Sequence, residues 1–158
     1  MKDRVEKTTD EVLRLWQAAA ERDPGDLRTW IFLARLHQEA GQTDKAGDAA
    51  ARALQAATQP RDRSVALSTL GDVQVAAGDL AAARTSFEDS HQIARGLAAA
   101  NPGSAQAQRD VSVSLERLGD VQVAAGDLAA ARKSFEDNHQ IRTRLAAANL
   151  ASAEAQRD

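Results

Sequence analysis

The chain has 158 residues, enough for one compact domain or a short helical array; 43% are apolar but only 3% aromatic, so any core is built from small side chains. A net charge of −3, a pI near 5.6 and the lack of a basic run exclude a broad electrostatic surface for nucleic acid. With no cysteine, disulfides, thiolate metal sites and a cysteine nucleophile are excluded as well.

At the N-terminus, Met1-Lys2-Asp3-Arg4-Val5-Glu6-Lys7 is charged where a signal peptide needs an apolar stretch. No segment reaches the roughly 18 apolar residues of a membrane span, so a cytoplasmic protein is expected. The excess of arginine over lysine and the abundance of alanine fit a GC-rich bacterial genome. Strands have little support, since β-branched residues are sparse and tyrosine is absent. Alanine, by contrast, is the best helix former and lets helix backbones approach closely.

The first amphipathic helix is expected over Asp10–Arg22, with Val12, Leu13, Leu15, Trp16 and Ala19 on its apolar side. Asp23-Pro24-Gly25-Asp26 breaks it. Trp30, Leu33, Ala34 and His37 then recur at helical spacing. After a turn at Gly41-Gln42-Thr43, a small-residue helix carries Ala46, Ala49, Ala50, Ala53 and Leu54 to about Ala57, and Gln59-Pro60 closes it.

From residue 61 the chain repeats itself. Residues 61–108 and 109–156 align without a gap at an offset of 48, and roughly three quarters of the paired positions are identical. Each copy reads as two helices. In the first copy, Val65, Leu67, Leu70, Gly71 and Val73 lead to Ala77; Gly78 suits a left-handed residue past the helix end, and Asp79 suits a cap for the next helix. That next helix carries Leu80, Ala83, Phe87, Ile93, Ala94 and Leu97, and ends at Asn101-Pro102-Gly103 before the capping Ser104. The second copy repeats these signals at Gly126, Asp127 and Ser152, but Leu150-Ala151 replaces Pro-Gly. Arg157-Asp158 restarts the phrase, as if the chain were a fragment of a longer protein.

Helix–turn–helix phrases with Leu-Gly or Leu-Ala in the first helix, and Ala then Phe four residues on in the second, resemble tetratricopeptide repeats (TPR). The matching residues are Trp30, Leu33, Ala34, Ala46, Ala50 and Ala53; then Leu67, Leu70, Gly71, Ala83 and Phe87; then Leu115, Leu118, Gly119, Ala131 and Phe135. Trp16, Ala19 and Pro24 match the second helix of a preceding repeat that lacks its first. The expected organisation is therefore 1–25 as that stray second helix, 26–60 as a diverged repeat, 61–108 and 109–156 as extended repeats, and 157–158 as the start of a further one.

Two departures stand out. The family's period is about 34 residues, and the surplus of 14 here is about four helical turns at 3.6 residues per turn. It is read as about two turns added to each helix; a third short helix per repeat is the competing reading. The family's first-helix aromatic is also missing, with His37, Gln74 and Gln122 in its place.

The resemblance implies an all-α, right-handed superhelical solenoid of antiparallel helix pairs, with a concave face lined by first helices and used to bind protein or peptide. Carried over, the peptide-binding candidates are Arg28, Ile31, Phe32, Arg35 and Glu39; Ser68, Thr69, Asp72 and Val75; and Glu116, Arg117, Asp120 and Val123. Some members grip a peptide C-terminal carboxylate there. The corresponding places hold Ile31 and Arg35, Ser68 and Asp72, Glu116 and Asp120, and their three acids would repel a carboxylate. A basic or neutral partner is expected instead. Phe32 reads as an apolar anchor or as packing against a neighbouring helix. The change of Ser68-Thr69 to Glu116-Arg117 reads as ligand adaptation or as drift of a solvated face.

Nothing in the sequence points to catalysis, a metal or another cofactor. His91 and His139 share one repeat position, Glu88-Asp89 and Glu136-Asp137 recur with the repeat, and no phosphate-cradling loop, dinucleotide fingerprint or HExxH pair is present. A non-catalytic binding scaffold is expected. Self-assembly is the rival reading, through an uncapped C-terminal repeat whose apolar face would be exposed around Leu145.

Overall fold

Glycine, aspartate and proline set the helix boundaries. The computed structural model describes the backbone of residues 2–155 and the side chains of residues 10–149. Among these residues there are seven helices and no strand: α1 (Lys2–Arg22), α2 (Leu27–Glu39), α3 (Thr43–Ala56), α4 (Pro60–Ala76), α5 (Leu80–Ala100), α6 (Ala105–Ala124) and α7 (Leu128–Ala155). Gly78 and Gly126 adopt φ of 81° and 80° just past α4 and α6, which a side chain would resist. The next N–H, of Asp79 or Asp127, reaches back to the carbonyl of Gln74 or Gln122. The same aspartates then cap the following helix: Asp79 Oδ1 accepts from the Ala82 N–H and Asp127 Oδ1 from the Ala130 N–H. Asp26 caps α2 through Arg28, and Ser104 caps α6 through Ala107.

Three boundaries differ from the sequence expectation. α1 starts at Lys2 and not at Asp10, because no glycine or proline interrupts that stretch. Pro60 opens α4 rather than closing α3; a proline has no N–H to lose in a first turn. α7 runs unbroken to Ala155 because Leu150-Ala151 lacks the stop signal of Pro102-Gly103, so position 152 falls inside the helix and not at the start of a new one. The expected restart at 157–158 lies outside the described residues. Among the described residues each copy is spanned by two long helices, with no third short one between them.

The fold is all-α, made of tetratricopeptide-like antiparallel helix pairs, and it divides into two compact units, residues 1–86 and 87–158. In the first, α1 packs on α2, α2 on α3, and α4 on both α2 and α3. Ala46, Ala49, Ala50 and Ala53 form one stripe of α3, buried in a cluster with Trp30, Leu33 and Ala34 of α2 and with Ala66 and Val73 of α4. The alanines let α2 approach closely, and the larger α2 side chains fill the space. Burying Leu33 contributes about 1.5–3 kcal/mol, and Leu33→Ala is the single change that would open this core most directly. In the second unit, Ala94 and Ala98 of α5 pack with Ala107, Val111 and Leu115 of α6 and with Ile141 of α7. There Gly119 is needed for contact: a Cβ at that position would collide with the Phe135 ring.

Candidate binding surfaces

Each first helix buries one side and leaves another open. On α2, Trp30, Leu33, Ala34 and His37 are buried, while Arg28, Phe32, Arg35 and Glu39 are exposed and Ile31 is half-buried. Phe32 is 40% exposed although its ring lies 4.3 Å, centroid to centroid, from Trp16 of α1, so it both packs on a neighbouring helix and remains accessible. On α4, Ser68 and Asp72 are half-buried and Val75 is exposed. Thr69 corrects the expectation: it is buried, and its hydroxyl donates to the Val65 carbonyl at 3.1 Å, so it offers nothing to a ligand. On α6, Glu116, Asp120 and Val123 are exposed and Arg117 is half-buried. The candidates thus fall into one row in the first unit, on α2 and α4, and another in the second, on α6.

The positions without the family's aromatic are occupied by polar bridges. Ser86 Oγ donates to Gln74 Oε1 at 2.7 Å, and its copy Ser134 donates to Gln122 Oε1 at 2.8 Å, tying second helix to first in each pair. His37 Nδ1 donates to Gln42 Oε1 at 2.9 Å across the α2–α3 turn. The amides and serines were visible in the sequence, but their pairing follows from the hairpin geometry.

His91 and Asp26 have structural partners. Ser114 Oγ gives its proton to the Val111 carbonyl at 2.7 Å, so it must accept from His91 Nδ1, 2.8 Å away. Burial disfavours the His91 imidazolium, Arg95 adds repulsion, and Asp137 only partly offsets them, so its pKa lies below the ordinary histidine value. Asp26, hydrogen-bonded by the Thr29 hydroxyl and by backbone N–H groups, is held below the usual carboxylate range. Among the described residues, no group of three or more His, Asp or Glu could hold a metal ion, and no helix is long and apolar enough to cross a membrane.

A concavity the sequence did not reveal lies on the second helices of the first unit. A groove of about 980 Å³ runs between α1 and α3, with Trp30 and His37 of α2 at its floor. Its walls mix Asp10, Glu21 and Asp48 with Arg14, Lys45 and Arg52, and the Arg52 guanidinium lies 5.4 Å from the Trp30 ring centroid. No periodicity isolates this groove, because it arises from the separation of two helices about a third. The charges of both signs on its walls select no ligand class.

No family model matches the chain, and no curated protein matches it. Among solved structures, it is similar to a crystal structure of MamA, at 16% identity over 92% of this chain and 95% of that one, with a TM-score of 0.46. MamA MSR-1 C2 is 17% identical over 82% of this chain and 68% of that one, with a TM-score of 0.49. A further crystal structure of MamA protein is 14% identical over 92% and 88%, with a TM-score of 0.46.

Proposed function

We propose that the chain is a non-catalytic scaffold that binds proteins or peptides on the open sides of its first helices. The carrying observation is Phe32: a 40% exposed aromatic on a helix whose opposite side is locked into the core, flanked by the exposed Arg28, Arg35 and Glu39. Val75 beside Asp72, and Val123 beside Asp120, repeat the combination of an apolar residue and a charge on α4 and α6. Asp72, Glu116 and Asp120 favour a basic or neutral ligand on those two helices. A bacterial cytoplasmic setting fits the composition, and the reading needs no cofactor.

Selection of random displayed peptides on the full chain tests this. Peptides enriched in lysine, arginine or neutral polar residues around an apolar anchor are expected. Phe32→Ser should weaken those held by α2, and Asp72→Lys or Asp120→Lys should shift selection towards acidic peptides. The reading fails if nothing is selected, or if the selected peptides bind all three variants unchanged.

Self-association is a second reading, favoured by the exposure of Leu128 (66%) and Phe135 (37%) on α7. Among the described residues of α7 these are the exposed large apolar side chains; Leu145, where exposure was expected, is half-buried. Sedimentation over a hundredfold range of concentration should show association that Leu128→Glu removes; a monomer throughout would overturn it.

A further inference from the structure

We infer that the chain forms a two-fold dimer through the open side of α2, in which Arg28, Phe32, Arg35 and Glu39 of one copy meet the same four residues of a second. All four are exposed, whereas Trp30, Leu33, Ala34 and His37 hold the other side of the helix in the core. They follow one another at intervals of four, three and four residues. They therefore form one row on the helix, about 16 Å long at 1.5 Å per residue.

The occupant follows from the order of the side chains. The spacing is the same read from either end. An antiparallel partner, with the two-fold axis midway between Phe32 and Arg35, sets Arg28 opposite the partner's Glu39 and Phe32 opposite the partner's Arg35. Symmetry makes each contact twice, giving a salt bridge at both ends and two guanidinium–aromatic contacts in the middle. A shallow crossing of about 20° keeps the whole row in contact. The Trp16 ring already steadies Phe32 from the α1 side, so little ordering is needed on association.

Two observations favour a second copy over an unrelated ligand. The first is that the charges oppose their own helix. Arg28 is the second residue of α2 and Glu39 the last, whereas the helix dipole favours acids at the start and cations at the end. A copy lying antiparallel supplies the opposite sign at both ends and offsets that cost. The second is that α6 fails the same test. Its exposed row runs Arg109, Val113, Glu116, Asp120 and Val123. A two-fold axis there sets Glu116 against the partner's Asp120 or, one step along, against the partner's Val113. The self-complementary order thus belongs to α2 and is not a general property of the open first helices. A single row is small for an interface, so the dimer forms with rising concentration and weakens with salt.

The inference rests on the scaffold reading in one respect, that the open side of α2 is a binding surface, and it names a second copy as the partner there. Sedimentation equilibrium of the full chain over a hundredfold range of concentration should show a monomer–dimer equilibrium. Arg28→Glu and Glu39→Arg should each weaken the dimer about tenfold or more. Both changes suit the helix dipole better than the native residues, so thermal midpoints that are kept or raised separate a lost contact from a lost fold. An equimolar mixture of the two variants should dimerise again, and so should one chain carrying both changes, because each restores opposite charges at both ends. A monomer throughout, a dimer indifferent to both single variants, one that neither the mixture nor the double variant restores, or one that Leu128→Glu dissociates would each overturn the inference. A monomer that still binds peptides through Asp72 or Asp120 overturns the dimer alone. A dimer that responds as expected while no peptide is selected overturns the peptide-binding reading alone.

Discussion

Phe87 and Phe135 occupy one position in two copies that share roughly three quarters of their residues, yet the first is 2% exposed and the second 37%. The contrast continues along the same two helices. Ala94 and Ala98 of α5 are buried against α6, whereas their counterparts on α7, Arg142 and Ala146, are exposed. At some positions the residue changes with the environment. Arg63 is exposed on α4, but its counterpart Val111 is buried on α6 beside Ala94 and Ala98, because α5, at 21 residues, is longer than the 14-residue α3. Ala66 becomes Ser114, which takes up the His91 hydrogen bond. The differences at 63/111 and 94/142 thus follow burial. The change of Ser68-Thr69 to Glu116-Arg117 is also mixed, since Thr69 is buried and only Glu116 is fully exposed.

The sharpest way to break this comparison is to truncate both rings. Phe87→Ala should cost about 3–5 kcal/mol, as expected for a fully buried aromatic. Phe135→Ala should cost about half as much or less, since part of its ring is already in water. Urea midpoints of the two variants check this, and equal losses would mean that the two sites are equivalent. Next come the reciprocal swaps. Ala94→Arg forces a charge and extra volume against α6 and should cost about 3 kcal/mol, moderated by the reach of the arginine stem towards solvent. Arg142→Ala should change stability by no more than about 0.5 kcal/mol. If exposure of α7 drives association, it should also increase self-association in sedimentation.

Much of the fold was legible. The caps at Asp79, Ser104 and Asp127, the left-handed Gly78 and Gly126, and the buried face of Trp30, Leu33, Ala34 and His37 are local signals that act on near neighbours in the chain. Of the candidate positions that the resemblance implied, Phe32 and Asp120 are exposed, but Thr69 is buried. A hydroxyl that satisfies itself on the preceding turn carries no cost of burial, so threonine reads as polar while packing as apolar. The α1–α3 groove was not legible, because it depends on which helix lies beside which.

The Gln–Ser bridges sharpen the comparison at a smaller scale. Ser134→Ala leaves the buried Gln122 amide without its partner and should cost about 1–2 kcal/mol. Ser86→Ala should cost less, because Gln74 is only half-buried and water can replace the hydroxyl. Pairing Ser134→Ala with Gln122→Leu should recover most of the loss, as a double-mutant cycle would show. If Ser134→Ala proves neutral, the bridge contributes nothing and the missing aromatic needs another explanation.

The smallest effect is read at His91 by pH. His91 is half-buried on α5, and its imidazolium is disfavoured first by that burial and then by Arg95, with partial relief from Asp137; His139 is exposed on α7. Because the folded pKa lies below the unfolded value of about 6.5, the unfolded chain takes up the proton first as pH falls. Stability is therefore full above that value and declines below it until the folded pKa is passed. Asp26 acts in the same direction but in a lower window: its depressed pKa gives stability that is lost only as pH falls below the ordinary carboxylate range. Thermal midpoints between pH 7.5 and 5 should thus fall slightly in the wild type and less in His91→Gln, whose amide can still donate to Ser114. A slope that survives His91→Gln in full would assign the proton uptake elsewhere, and an NMR titration of the His91 ring would then be expected to show no depression.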